Sequence, residues 1–486
     1  MRTARKILLL LVGLCAGFML DITAMAEELE PAITIKGAAK DSDISKIQDR
    51  DHNTSIKYMQ GDIITINAAG GQKIRGLYII WDSPVQPWTL KADGKKKVCG
   101  ENSFLHEYIE LDEEVSSLEI IIPSDDIRIS DIRIFGEGEL PDDVQVWNPP
   151  CERADIMIIS SHADDELLFF GGVIPLYTYV YDADVQVVYM TEFWSTEKER
   201  EHEKLNGLWA AGLDIYPVCG DFLDKYSMDI ERARQQYDTE ELTGYITRVI
   251  REFKPQVVVT HDFNGEYGHG FHKLVTACTV EAVEGAANAE YYPETAAEYG
   301  VWDTPKTYIH IYGENKIKLD LSVTIDEKQG KTALQLVKDG YAQHISQHKW
   351  AFYVSDTYKY SCADFGLYRT TVGYDTGNDM LENLKTYKLQ EKEEQERIER
   401  ESREQASREQ ASLEQASREQ ASIEQASREQ ASLEEASRQA ASEAEALRAA
   451  EEEAKQRNTI IIIGIAVALV MAGAIMFVLA GRGKHK

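Results

Sequence analysis

The sequence predicts a multidomain protein. We expect an all-β sandwich at the N-terminus, a central α/β domain on a parallel sheet, and a C-terminal helical stalk ending in one transmembrane helix. Short apolar runs separated by turn residues fill 27–148, and strands alternate with helices over 150–386. The remainder is a charged repeat followed by an apolar run. A chain of 486 residues has room for two or three domains.

Both ends carry targeting signals. Residues 1–26 resemble a secretory signal peptide, with basic residues, an apolar run and the small-residue site Ala24-Met25-Ala26. An uncleaved anchor is the alternative. Residues 459–480 hold no charge and are long enough to span a hydrocarbon core of about 30 Å. The basic tail, 481–486, is typical of the cytoplasmic side. We therefore expect a single-pass cell-membrane protein with an extracellular ectodomain.

The composition argues against nucleic acid as a partner. The formal net charge is −31 at pH 7, which disfavours binding to a phosphate backbone. The six cysteines are scattered and form no CxxC motif, so small buried thiols are favoured over a disulfide framework.

Residues 27–148 are interpreted as the sandwich, because short alternating or apolar runs recur between turns. Three stretches resemble the discoidin-like, galactose-binding-like jelly rolls: 48–55, 79–81 and 129–136. That resemblance implies a sugar-binding module, in which Trp81 and Trp88 would stack on a sugar. Packing of both rings in the core or at its rim is the favoured interpretation, and stacking on a sugar is the alternative.

Residues 150–386 are interpreted as the α/β domain, with a mostly parallel, Rossmann-like sheet. We expect strands at 156–160, 185–190 and 256–260 and helices at 197–211 and 242–253.

Residues 387–457 hold almost only Glu, Gln, Ala, Ser and Arg in a five-residue repeat. Glu and Arg four residues apart pair favourably on a helix. The apolar residues Leu413, Ile423 and Leu433 recur every ten residues, so they spiral round a helix and form no coiled-coil seam. We expect a solvated single helix or a partly disordered stalk, with an oligomerising coiled coil as the alternative.

Two polar stretches follow predicted strands. His162 and the acids 164–166 follow the first strand, and a Gly-rich loop with three histidines, 261–272, follows the strand at 256–260. The carboxyl ends of parallel strands meet at one edge of a sheet, so these loops should meet. His and carboxylate are common zinc ligands, and a catalytic zinc keeps one position open for water. For the acidic stretch alone, a polar turn that caps the next helix is the alternative.

These residues resemble a known family. The stretch 162–166, followed by Gly171-Gly172, is similar to the His-Pro-Asp-Asp-Glu signature of the PIG-L/LmbE-like zinc-dependent N-acetylglucosaminyl deacetylases. The loop at 268–272 is similar to that family's late Gly-His-x-x-His motif, and 200–203 to its Arg-x-x-Glu helix. The resemblance covers residues 150 to 350, approximately, in the expected order.

The resemblance implies a division of roles. His162, Asp165 and His272 would hold the metal, with Zn²⁺ expected and another divalent ion such as iron or manganese left open. The remaining roles are Asp164 as general base, His269 as a polarising group for the amide oxygen or donor to the leaving amine, Tyr267 as an oxyanion donor, and Arg200 as a contact to sugar hydroxyls.

Two positions depart from the family pattern. Ala163 stands where the family has Pro, and Phe271 stands where it has an acid between the last two histidines. The second departure puts proton delivery by His269 in doubt, but neither removes a ligand.

The sequence therefore predicts a membrane-anchored extracellular zinc-dependent deacetylase that acts on N-acetylglucosamine-type sugars or glycans. The rival hypothesis is a surface glycan-binding protein with an inactive deacetylase-like domain. A third hypothesis keeps the hydrolase and changes the amide, for example to an acylated amino-sugar conjugate.

Overall fold

The computed structural model describes residues 25–480. The predicted signal peptide, 1–26, lies almost wholly outside the described residues, and the basic tail, 481–486, lies outside them. The chain divides into two compact units, Met1–Lys392 and Glu393–Lys486.

Among the described residues from 25 onwards, the N-terminal part of the first unit contains ten strands. They are β1 (Glu28–Leu29), β2 (Pro31–Lys36), β3 (Ile56–Tyr58), β4 (Ile63–Ala68), β5 (Ile74–Trp81), β6 (Trp88–Ala92), β7 (Lys95–Cys99), β8 (His106–Val115), β9 (Ser117–Ile121) and β10 (Ile127–Phe135). One sheet has the order β1-β10-β5-β8 with β3 paired to β10, and the other has the order β2-β4-β9-β6-β7. All the pairings are antiparallel.

Alternate side chains of the two sheets share one apolar core. Ile64 and Ile120 come from one sheet, and Leu77 and Ile132 from the other. The predicted sheet-rich N-terminal region is confirmed, while its interpretation as a discoidin-like sandwich stays a prediction. Trp81 and Trp88 are both fully buried, edge-to-face with ring centroids 5.4 Å apart, so neither presents a face to a sugar.

The second part of this unit is the α/β region. Its main sheet has the strands β11 (Ile156–Ser160), β12 (Val185–Glu192), β13 (Val218–Leu223), β14 (Val257–Thr260), β15 (Lys306–His310), β16 (Lys316–Lys318) and β19 (Asp364–Thr370). A separate small sheet pairs β17 (Thr324–Ile325) with β18 (Lys331–Thr332). The helices are α1 (Asp165–Leu168), α2 (Val173–Pro175), α3 (Glu199–Ala210), α4 (Ile230–Gln236), α5 (Thr239–Phe253), α6 (Gly270–Gly285), α7 (Pro293–Tyr299) and α8 (Ala333–Tyr341).

The strand order of the main sheet is β13-β12-β11-β14-β15-β19-β16. The first five strands in this order pair in parallel, and β19 pairs antiparallel with β15 and β16. The chain leaves β11 towards β12 and β13, then returns to β14 on the other side of β11. The loops after β11 and β14 therefore lie on the two sides of a switch in strand order. Sheets of this α/β type commonly bind ligands at such a switch.

The two parts of the first unit pack against each other. Trp147 meets Trp209 of α3 edge-to-face with centroids 5.4 Å apart. The backbone N–H of Leu105 donates to the Tyr216 hydroxyl at 3.0 Å, and Phe104 stacks on the same ring. Helix α3 is therefore held from the side of the antiparallel sheets.

The described residues of the second unit, 393–480, belong to the helix α9, whose full extent is Tyr387–Ala480. Ion pairs join residues four apart, as expected, at Glu414–Arg418 and Glu424–Arg428. This helix is long and apolar enough, by length and composition, to cross a membrane. The described part of the predicted stalk is helical, and the coiled-coil alternative stays untested.

Candidate active site

The site forms where β11 and β14 end. The motif that begins at His162 follows the last residue of β11, and the histidine-rich loop follows Thr260 at the end of β14. The pairing of β11 with β14 brings the two loops together at one sheet edge. A third loop, which carries Asp224, follows β13 at the same edge.

Three of the predicted site residues bring their polar atoms to one point. His162 Nδ1 lies 2.9 Å from Asp165 Oδ2 and 3.2 Å from His272 Nε2. His272 Nε2 lies 3.2 Å from Asp165 Oδ2. All three side chains are buried.

This triangle fits a divalent metal ion. Bonds of about 2.0–2.1 Å to a tetrahedral zinc place neighbouring ligand atoms roughly 3.3–3.4 Å apart. The observed separations, 2.9–3.2 Å, lie just inside that value. Two imidazole nitrogens and a carboxylate oxygen are also a donor set that zinc accepts, with other first-row ions as competitors.

The surroundings favour positive charge at this point. Burial opposes protonation of His162, but Asp224 and Asp165 outweigh it and raise the pKa to about 10. Burial likewise opposes protonation of His272, but Asp165 and Glu266 raise its pKa to about 9. For Asp165, the neighbouring His272 and His162 overcome burial and hold the carboxyl pKa well below its usual range. A bound cation would be stabilised by the same carboxylates.

Glu266 is the centre of a buried network behind His272. Its Oε2 accepts from His272 Nδ1 at 2.6 Å, and its Oε1 lies 3.0 Å from both His310 Nδ1 and the backbone nitrogen of Asp262. A proton held on Nδ1 of His272 leaves the lone pair on Nε2, which faces Asp165 and His162. Carboxylates commonly fix metal-binding imidazoles in this way.

His261 holds the two strand ends together. Its Nε2 accepts from the backbone N–H of Ser161 at 2.9 Å, and its Nδ1 lies 3.3 Å from Glu266. The ring stacks on His272 with centroids 4.0 Å apart. His261 therefore positions the residue before His162 and also supports His272.

Asp164 differs from its neighbour Asp165 in backbone and contacts. Its φ of 120° is one that non-glycine residues rarely adopt, and such strain often marks functional positions. Its Oδ1 lies 3.3 Å from Nη2 of Arg200, which also donates to the carbonyl of Ala163 at 2.5 Å. Burial raises the pKa of Asp164 to about 7, against the lowering effect of Arg200.

His269 and Tyr267 flank the three donor atoms. The His269 ring lies 5.0 Å from that of His162 and 4.5 Å from that of His272, centroid to centroid, and its Nδ1 is buried without a partner. Burial, with His272 and His162, lowers the His269 pKa to about 2. Burial, with Asp165 and Asp164, raises the Tyr267 pKa. Both side chains are therefore neutral hydrogen-bond donors near pH 7.

These residues line a cavity of about 800 Å³. Aromatic rings from several loops form part of its wall, and its lining includes His162, Asp164, Asp165, Arg200, Asp224, Tyr226, Tyr267, His269, Trp350 and Phe352. A volume of this size is ample for a sugar-sized ligand. All the site residues predicted from the sequence line this one cavity except His272. His272 is fully buried and is not part of the cavity lining.

Two acidic residues at this site were not anticipated from the sequence. Glu266 lies in the loop after β14, and Asp224 follows β13 with its Oδ1 3.3 Å from His162 Nε2. Asp224 could have been found, because an acid directly after a parallel strand is the same signal that selected the motif at His162. For Glu266 the sequence carries no such signal. The family resemblance places an acid at the position of Phe271, and Phe271 instead stacks on Tyr237.

Comparison with known proteins finds similarity in the same region of the chain. A family model described as PIG-L, GlcNAc-PI de-N-acetylase, matches residues 157–283. This range runs from β11 into α6 and contains every candidate residue in both loops and in α3. The match supports a PIG-L-like deacetylase domain within the α/β region.

Curated relatives align with the same part of the chain. A 1D-myo-inositol 2-acetamido-2-deoxy-alpha-D-glucopyranoside deacetylase from Rhodococcus erythropolis is 31% identical over 180 residues, which is 32% of this chain and 59% of that protein. A mycothiol S-conjugate amidase from Streptomyces coelicolor is 40% identical over 79 residues, 16% of this chain and 26% of that protein. The chain thus spans about three fifths of the first relative's length.

Among solved structures, N,N'-diacetylchitobiose deacetylase from Pyrococcus horikoshii is similar at 15% sequence identity and a TM-score of 0.31. The alignment covers 40% of this chain and 74% of that chain.

Proposed function

We propose that the chain is a metal-dependent amide hydrolase that removes the N-acetyl group from N-acetylglucosamine-type sugars or glycans. The observation that carries the proposal is the triangle of donor atoms from His162, Asp165 and His272 at the wall of a sugar-sized cavity. The match of 157–283 to a de-N-acetylase family model supports it, as does the similarity to deacetylases of acetamido sugars.

The proposed metal ligands are His162, Asp165 and His272, with zinc as the expected ion. When bound, such an ion supplies a water of lowered pKa and polarises the amide carbonyl. Glu266 keeps the lone pair of His272 directed inward through its hydrogen bond to Nδ1, and the Asp224 carboxylate lies 3.3 Å from His162 Nε2, where it favours a proton on that nitrogen.

Asp164 is the proposed proton acceptor. Its carboxyl adjoins Asp165, and its pKa of about 7 is well matched to a base that works near neutral pH. Arg200 holds one carboxylate oxygen in place, so the guanidinium acts first as a clamp on Asp164. The same guanidinium lines the cavity, where it can also contact a sugar hydroxyl.

His269 and Tyr267 are the proposed donors to the amide oxygen. A neutral imidazole N–H and a phenol O–H can stabilise the negative charge that develops on this oxygen, and preorganised donors of this kind are commonly worth about 10²–10³ in kcat. The low pKa of His269 favours polarisation over proton delivery to the leaving amine.

The wider setting is also a proposal. The long apolar helix would anchor the enzyme in a membrane, with the catalytic region outside the cell and the N-terminal sheets as a glycan-binding module. Trp81 and Trp88 are buried, as the packing interpretation expects, so a glycan would have to bind elsewhere on those sheets.

Acetate release tests the proposal. Full-length protein in detergent, loaded with Zn²⁺, is incubated with a panel of N-acetylglucosamine-containing oligosaccharides and conjugates. We expect release by the wild type and by Lys273→Ala, whose side chain is directed to the backbone of Met228, and none by His272→Ala. Absence of release from every substrate, with metal bound, would favour the inactive glycan-binding alternative.

A further inference from the structure

Three histidines outside the candidate active site meet where the antiparallel sheets contact α3. His52 comes from the loop before β3, His106 begins β8, and His202 lies on α3. One ring nitrogen from each lies within 4.8 Å of one from each of the other two. The ring centroids are 5.0–5.2 Å apart. The cluster therefore joins the antiparallel sheets to the α/β region.

The hydrogen bonds around His106 determine which of its nitrogens carries the proton. Gln145 Nε2 donates to Asn206 Oδ1 at 2.7 Å, so Gln145 Oε1 is the free acceptor. That oxygen receives Trp147 Nε1 at 2.9 Å and faces His106 Nδ1 at 2.8 Å. An amide oxygen can only accept, so Nδ1 of His106 must be the donor. The ring's lone pair is therefore on Nε2 of His106, which faces His202.

His202 has a polar atom that the protein leaves unused. The residue is 1% exposed, its Nδ1 lies 2.9 Å from His106 Nε2, and its Nε2 is buried without a hydrogen-bond partner. A hydrogen bond between the two rings accounts for Nδ1 of His202 and leaves Nε2 without a partner. The contacts of His202 therefore allow its proton to lie on either ring nitrogen. With the proton on Nε2, the lone pair of Nδ1 faces the lone pair of His106 Nε2, and a metal ion between the two nitrogens would satisfy both.

The three rings are also in the charge state that a metal requires. Burial lowers the pKa of His52, His106 and His202, and the last two lie well below the usual range. Neutral imidazoles offer lone pairs, and three of them form the ligand set that holds several catalytic zinc ions. The 2.9 Å separation of His106 Nε2 and His202 Nδ1 is close to the roughly 3.3–3.4 Å of tetrahedral zinc ligands.

An ion has a route to the cluster. His52 lines a cavity of about 560 Å³, whose wall also carries the acids Asp131, Asp142 and Asp143. The same wall carries the bases Arg50, Arg133, Lys328 and Lys331. The cavity therefore gives an ion access to His52 without a marked excess of acids to attract it.

We propose that His52, His106 and His202 form a second metal site, for a zinc-like divalent transition-metal ion, at the seam between the antiparallel sheets and the α/β region. Imidazole ligands favour zinc, cobalt, nickel or copper over magnesium or calcium. An ion bound here would tie α3, which carries Arg200 of the candidate active site, to β8 and to the loop of His52.

The test is metal stoichiometry on the full-length protein in detergent, purified without a histidine tag, stripped with chelator and titrated with Zn²⁺. A double variant, His162→Ala with His272→Ala, removes the candidate active-site ligands. We expect this variant to keep about one tightly bound zinc, and the wild type to bind about two. Adding His52→Ala should weaken the remaining site roughly tenfold or more, and adding His348→Ala, an imidazole outside both clusters, should not.

His52 is the residue to remove because it lies on a loop and is only partly buried, so its loss leaves the strands intact. If the double variant does not fold, competition of wild type and His52→Ala with a chelator still decides, since one of the two zinc equivalents should bind roughly tenfold or more weakly in His52→Ala. The proposal is overturned if no zinc binds to the double variant in its folded state, or if His52→Ala and His202→Gln leave the zinc affinity of the second site unchanged. Either result would identify the cluster as a hydrogen-bonded packing contact.

Discussion

The substitution Glu266→Gln tests how much the buried network contributes to the metal site. Glu266 serves His272 with one oxygen and His310 and the Asp262 backbone with the other. Glutamine has nearly the same shape as glutamate, but its amide offers one acceptor oxygen instead of two. Whichever way the amide group is turned, its NH₂ faces one of the N–H donors that Glu266 now accepts from. Leaving one buried donor unpaired costs ~1–3 kcal/mol. Alternatively, His272 shifts its proton to Nε2 and loses its lone pair. We expect metal affinity to fall ~10–100-fold.

The assay is competition for Zn²⁺ against a chromophoric chelator, with the full-length wild type, Glu266→Gln and the matched control Glu290→Gln compared at one pH. Glu290 is exposed and lies outside the cavity, so its variant should bind zinc like the wild type. Acetate release at saturating zinc should be largely restored in Glu266→Gln if the loss is in affinity. A zinc affinity within about twofold of wild type would refute the positioning role of Glu266.

Three further predictions concern other parts of the chain. Burial raises the pKa of Asp131 to about 6, so the fold disfavours the ionised carboxyl. This penalty is absent below pH 4, approximately, and complete above pH 6, approximately. In chelator, Asp131→Asn should therefore stabilise the protein by up to ~3 kcal/mol at pH 8, and not at pH 4, in thermal unfolding. Gly172→Ala should lower stability by about 1–3 kcal/mol, because its Cβ would lie 2.6 Å from the Cys362 carbonyl oxygen. An unchanged Tm would contradict the close approach. Tyr267→Phe should keep metal and lower kcat about 10²-fold if the phenol donates to the developing oxyanion, and an unaltered kcat would remove it from that role.

The strands of the α/β region could be predicted from the sequence because the apolar runs there are short and bounded by turn residues. The predicted strands at 156–160, 185–190 and 256–260 correspond to β11, β12 and β14. The rule that parallel strand ends meet at one edge then places His162 and His272 together, although 110 residues separate them.

The residues that sequence reasoning missed act through tertiary contacts. Glu266 gains its role because the loop after β14 folds its side chain under His272 and His310, and the local sequence carries no signal of that turn. The local sequence gives His202 no role, since only the docking of α3 against β8 brings it to His106. For Trp81 and Trp88, by contrast, the favoured packing interpretation is confirmed, because β5 and β6 present both rings to one core.

The measurement that tests the account most directly is zinc content and acetate release on the same preparation of Asp164→Asn. The two neighbouring acids are assigned different work, with Asp165 holding the metal and Asp164 accepting a proton. The account predicts wild-type zinc content and a turnover reduced about 10²–10⁴-fold, the usual contribution of a general base. Loss of the zinc, or turnover equal to wild type, would contradict it.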